Sequence, residues 1–449
     1  MTDLQPLSTL RSAARPLTGG QRDYDSLLDL VGDARFVLLG EATHGTHEFY
    51  AERARITKRL IEEKGFHAVA VEADWPDAYR VNRYVRGRGD DADVNTALSG
   101  FQRFPNWMWR NTDVSAFVEW LRGHNAKQDA GSGGRQVGFY GLDLYSLFTS
   151  IEEVLRYLED VDPKAARQAR ERYACFDHYY EDSQHYGYTA SLDLSASCEQ
   201  GVIDQLHQLQ ARALEYMHRD GDEEALFYAQ QNARLVKNAE ECYRTMFRGR
   251  ISSWNLRDSH MADTLDALSD HLTREGEPAK IVVWEHNSHI GDARATEMGE
   301  LGEWTVGELA RKRYGDAARL IGFSTYDGFV TAASEWDAPA EHKRVRPGMP
   351  GSYEALLHDV GIPRFLLPLR GQGNDEGPVR DTMLQRRLER AIGVIYQPRT
   401  ERHSHYFSAT MANQFDAVIH IDRTTAVQPL DPGGGWHADE PPETYPSAL

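Results

Sequence analysis

Short apolar runs that end in polar clusters recur along this chain. The first, Phe36-Val37-Leu38-Leu39, leads into Gly40-Glu41-Ala42-Thr43-His44-Gly45-Thr46-His47-Glu48. A run without polar alternation predicts a strand buried on both faces, as in a parallel sheet. Ala68–Val71 ends in Glu72-Ala73-Asp74-Trp75-Pro76, and Val137–Gly141 ends in Leu142-Asp143. Ile281–Trp284 ends in Glu285-His286-Asn287-Ser288-His289. Leu320–Phe323, Phe365–Leu369, Ala391–Tyr396 and Ala417–Ile421 are further strand candidates. Phe329–Ala333 reads as an antiparallel edge strand after a turn at Asp327-Gly328.

The segments between these runs carry helical spacing. A helix is expected from about Thr46, which can cap it, to Lys64, with Phe49, Ile56, Leu60 and Ile61 inward and Gly65 as its stop. From about Ile151 to Thr273 no strand-like run occurs, and Leu226, Ala229, Ala233, Val236 and Ala239 keep a helical period. The expected fold is α/β, a mainly parallel central sheet flanked by helices, with a large helical insertion. Its parts are 1–149 and 276–428 for the core and 150–275 for the insertion. The Pro-, Gly- and acid-rich residues 429–449 read as a disordered tail.

Composition narrows the class. At 449 residues, 41% of them hydrophobic, the chain has material for a large core. A formal net charge of −19 argues against nonspecific nucleic-acid binding, which needs a basic surface. No apolar run approaches the roughly 18 residues that span a bilayer, and residues 1–10 carry no signal-peptide pattern. Cys175, Cys198 and Cys242 are widely spaced and make no CxxC pair, which suits a reducing compartment and no disulfide framework. A cytoplasmic setting with a small-molecule partner is therefore expected.

Glu41/His44, Glu72/Asp74, Asp143 and Glu285/His286/His289 would fall at the carboxyl ends of four strands. Each ending alone reads as a cap, but together they outline a site along one sheet edge. A His oriented by a carboxylate can take a proton from water as it attacks an ester carbonyl, with an Arg or second His at the oxyanion. Zinc or manganese is the alternative, because His44–His47 and His286–His289 are both HxxH. No HExxH occurs, however, and the first HxxH spans a glycine turn. A serine nucleophile lacks its GxSxG elbow. Trp107, Trp109, Tyr145 and the segment from Trp254 to Met261 suit the lining of an apolar cleft, or equally a core between insertion and sheet.

Several whole blocks resemble the erythromycin esterase superfamily. They are Gly40–Phe49, Val71–Trp75, Asn106–Asn111, Trp254-Asn255-Leu256-Arg257-Asp258, His286–Asp292 and Glu401–Phe407, in order between about residues 35 and 422. The resemblance implies hydrolysis of a carboxylic ester or macrolactone without a metal or covalent intermediate. It implies a general base at His44 with Glu41 and Glu72 as carboxylate neighbours, Arg53 on the same cleft, and His286 and His289 completing the polar wall. Trp107, Trp109, Arg257, His405 and Tyr406 are the matching candidates for substrate contact. Two other readings stay open: a Zn or Mn hydrolase built on His44, His286, His289 and Glu72, and a ligand-binding protein without turnover.

Overall fold

The computed structural model describes residues 4–131, 135–179, 183–191, 197–246, 249–274, 277–370 and 377–431. In chain order the strands are β1 (Arg15–Pro16), β2 (Phe36–Leu39), β3 (Ala68–Asp74), β4 (Gly138–Asp143), β5 (Ile281–Trp284) and β6 (Ala318–Ala332). They continue with β7 (Glu341–Val345), β8 (Arg364–Pro368), β9 (Arg387–Arg390), β10 (Tyr406–Ala409) and β11 (Ala417–Thr424). Nine of them form one sheet in the order β1-β8-β11-β6-β2-β5-β3-β4, with β7 on the outer half of β6, while β9 and β10 pair separately. The run from β11 through β6, β2, β5 and β3 to β4 is parallel. The mixed α/β architecture with a large helix-flanked sheet is the one expected.

The uniform apolar runs are explained by burial on both faces. Phe36 and Leu38 of β2 join one core, with Ile281 and Val283 of β5, while Val37, Leu39, Val282 and Trp284 join the other. Side chains alternate across a strand, so such runs need a helical cover on each side. One face packs beneath helices that lie between β4 and β5, including Leu147–Val161, Glu223–Met246 and Arg250–Leu272. The other is covered by the helices His47–Lys64 and Thr112–Gly131.

Several local expectations change. Thr46 takes the N-cap position of the His47–Lys64 helix, but its hydroxyl bonds Thr43 instead of a helix amide. Gly65, left-handed at φ 70°, ends that helix. Phe329–Ala333 is no separate strand after a turn: β6 runs straight through Gly328, and its outer half takes β7 as antiparallel partner. Gly328 has φ +139°, and a Cβ there would strike the Thr424 carbonyl, so glycine lets the strand pass. Ala391–Tyr396 is buried but forms no strand. Its amides go to three different places, Ala391 to His405, Ile392 to Ala42 and Tyr396 to Ala333, so no ladder can form.

Cys175 and Cys198 are joined in a disulfide, against the expectation of no framework, and Cys242 is free and buried. Helix packing brings the two cysteines together across 23 residues, a proximity that spacing does not reveal. The expected tail lies mostly outside the described residues. Its first residues, Pro429 to Asp431, dock on Asn111 and Arg110. Among the described residues, no helix is long and apolar enough to cross a membrane.

Candidate active site

β2, β5, β3 and β4 lie side by side with Leu39, Trp284, Val71 and Gly141 in register. The polar residues that follow each strand therefore emerge along one edge, at the carboxyl ends where open α/β sheets bind ligands. A cleft at this edge is lined by His44, Glu72, Arg257, Ser288, His286 and His289, with Tyr145, Trp254, Trp336 and Phe407 among its apolar walls.

The turn after β2 places His44. Gly45 packs so closely on β6 that a Cβ would overlap the Thr331 carbonyl, and the His44 carbonyl accepts a 2.9 Å bond from Tyr50. His44 Nδ1 lies 2.9 Å from Glu41 Oε1, while Arg53 donates to Glu41 Oε2 at 2.6 Å. Arg53 is fully buried, stacked on Tyr50 and Trp284, so it clamps Glu41 from behind and does not line the cleft. With Glu41 accepting from both sides, Nδ1 is the donor and Nε2 is the free acceptor of a ring that lines the cleft.

His286 has the opposite tautomer. Its Nδ1 accepts the Ser288 amide at 3.2 Å and meets the Ser288 hydroxyl at 2.8 Å. Burial and then the charge of His44 push its pKa well below the ordinary value, so the ring is neutral with its proton on Nε2. That N–H faces the Ala42 carbonyl without completing a hydrogen bond. The His44 and His286 rings stand 4.7 Å apart.

Opposite them is a charged cluster. Arg257 donates twice to Asp143, at 3.0 and 2.6 Å, and to Glu72 Oε1 at 2.9 Å. The other Glu72 oxygen accepts the His286 amide at 2.8 Å. Burial alone would raise the Glu72 pKa, but His289, His44 and Arg257 together outweigh it and hold the group below the ordinary carboxylate range. His289 Nδ1 is 3.0 Å from both Asp258 oxygens, and its ring stacks on Trp254. Its Nε2 lies 3.4 Å from Glu72 and 3.2 Å from an Arg257 nitrogen. Burial opposes a charge on this ring, but Asp258 and Glu72 raise its pKa to about 9 against the Arg257 charge.

A pH test follows from the cluster. The folded-state pKa of His289 lies above the ordinary 6.5. Its stabilisation is therefore complete below about pH 6.5 and lost as pH rises through about 9, a contribution of about 3 kcal/mol. Urea unfolding of the wild type and His289→Gln across this window should show their stability difference shrinking by that order. A difference constant with pH would place the proton elsewhere.

Other expected contacts do not reach the cleft. Trp107 and Trp109 are buried in the core, and the Trp109 indole donates to the Glu72 carbonyl from behind β3. His405 accepts the Gln397 amide, and the Tyr406 hydroxyl accepts the Met349 amide, so both face away while their neighbour Phe407 lines the wall. His47 pairs with Asp113 outside the cleft. Asp258 was not singled out by sequence as the His289 partner, although it neighbours Arg257 in a dense polar block. Gln414 ends the short helix Met411–Gln414 and Trp336 lies in a turn, and no sequence pattern marks either.

Of the four proposed metal donors, His44 alone keeps a nitrogen open to the cleft, and His286 Nδ1 is taken by Ser288. Glu72 and His289 are both bonded to or against the Arg257 cation, and His44 Nδ1 is turned to Glu41. Among the described residues, no three His, Cys, Asp or Glu side chains are placed to hold a metal ion. This donor set does not fit zinc or manganese.

The model of the erythromycin esterase family matches residues 61–424, beginning near the end of the His47–Lys64 helix that follows the Glu41–His44 turn. Erythromycin esterase type II of Escherichia coli is 23% identical over 402 residues, which is 84% of this chain and 91% of that protein. A crystal structure titled succinoglycan biosynthesis protein has 22% identity and a TM-score of 0.77, covering 95% of this chain and 98% of its own. A mutant of the erythromycin esterase EreC in its open conformation has 17% identity and a TM-score of 0.64, with 89% and 93% covered. The match over most of its length shows that the chain belongs to the erythromycin esterase family.

Proposed function

We propose that this protein hydrolyses a carboxylic ester or lactone by direct attack of water, with His44 as general base. The observation that carries the reading is the Arg53–Glu41–His44 chain, which leaves the His44 Nε2 lone pair on the cleft. Nε2 takes a proton from water as the water oxygen attacks the carbonyl carbon. The resulting oxyanion is met by the positive charge of Arg257 and His289, which line the same cleft. Collapse breaks the ester C–O bond, the His44 imidazolium returns its proton to the leaving alkoxide, and an acid and an alcohol are released. No covalent acyl-enzyme forms.

The test is mass spectrometry on an ester panel that includes a macrolide, where a hydrolysed lactone gains the mass of one water. Ester hydrolysis supports the reading, and no hydrolysis across the panel favours a binding protein. The metal-free reading makes a separate prediction: exhaustive dialysis against EDTA leaves the rate unchanged. Loss of activity restored by added zinc or manganese would overturn it.

A further inference from the structure

We propose that Trp336 and Gln414 are specificity residues that read hydroxyl groups on the substrate of this cleft, so that hydroxylated esters are preferred. The proposal rests on the hydrolase reading above but concerns recognition, not the base. Both residues line the cleft that contains His44 and His289. The Trp336 indole nitrogen and the Gln414 Oε1 are buried in its wall, with no hydrogen-bond partner among the described residues. A buried donor or acceptor left unmade is costly, and native proteins keep few of them. A donor and an acceptor both unmet in the wall of one ligand cleft mark groups that the ligand satisfies.

The surroundings hold both groups in place. Gln414 is 1% exposed, its carbonyl takes the Asp292 amide, and its Nε2 contacts Glu389 at 3.4 Å. That leaves Oε1 as an acceptor with no donor among the described residues. The Trp336 ring packs edge-on to Phe104 at 5.4 Å, which holds the ring in the wall. A hydroxyl both donates and accepts, so hydroxyl-bearing chains complement the pair, whereas a plain alkyl ester leaves both unmet. Trp254, Phe407 and Tyr145 give the same cleft aromatic surfaces for the carbon faces of such a molecule.

The experiment compares kcat/KM for glyceryl monobutyrate and propyl butyrate, which differ only in two hydroxyl groups. The wild type should prefer the glyceryl ester by about tenfold or more. Trp336→Phe, which keeps a ring but removes the N–H, and Gln414→Leu should each reduce that ratio several-fold. A ratio is insensitive to the folded fraction, since both esters meet the same protein. No preference in the wild type, or an unchanged ratio in both variants, overturns the proposal while leaving the hydrolase reading intact. Binding of the glyceryl ester to the His44→Ala protein, followed by tryptophan fluorescence, reads the same contacts without turnover. Equal affinity for the two esters there overturns the proposal even if neither is hydrolysed.

Discussion

Replacing His44 by alanine should lower kcat by about 10³-fold while the protein stays folded, since a positioned general base contributes about 10² to 10⁴. The side chain makes one hydrogen bond, to Glu41, and the turn around it is held by backbone contacts: its amide to Ile392 and its carbonyl to Tyr50. Circular dichroism should therefore be unchanged while steady-state hydrolysis collapses. Glu41→Gln provides a graded control. It keeps the shape but removes the carboxylate that fixes the Nδ1–H tautomer and draws the Arg53 charge, so kcat should fall less than in His44→Ala. A His44→Ala protein that works at near the wild-type rate would put the base elsewhere. His286 is poorly suited to replace it, because its lone pair is engaged with Ser288.

The parts legible in the sequence are those where one physical cause decides the pattern. β2 and β5 throughout, and β3 from Ala68 to Val71, are apolar because the sheet is covered on both faces, and such runs admit few other readings. Their common register then sets Glu41, Glu72, Asp143 and His286 on one edge, so a polar cluster after each run was informative. The direction of an aromatic side chain has no such signature. Trp107 and Trp254 look alike in sequence, yet one is core and the other stacks on His289. Arg53 lies on a helix beside Arg55, and only the tertiary structure shows that its guanidinium turns inward to Glu41. Asp258 is buried against His289, and Trp336 and Gln414 line the cleft from distant parts of the chain, where long-range packing and not local spacing sets the geometry.

Arg257→Met should destabilise the protein by about 3–5 kcal/mol near pH 7, the usual cost of breaking a buried ion pair by removing one partner. The substitution keeps much of the volume but strands Asp143 and Glu72, which are 1% and 4% exposed. Asp143 loses a two-point contact, and Glu72 loses one of the charges that offset its burial. Arg257→Lys should recover only part of the loss, because a single ammonium cannot reproduce the fork that spans both carboxylates. The pH dependence identifies the cause. In the wild type the depressed Glu72 pKa gives stability that is present above the unfolded value of about 4.5 and is lost as pH falls through the folded one. Without Arg257 the folded pKa moves upward, so the variant is penalised most where both carboxylates must stay ionised. Urea unfolding at pH 6 and pH 3.5, on either side of the unfolded value, should therefore show the gap to wild type narrowing at the lower pH. A loss below about 1 kcal/mol, the scale of a surface pair, would mean that water reaches the cluster and screens it. A gap that does not narrow toward pH 3.5 would mean that Arg257 acts through its packing on Tyr145 and not through the carboxylates.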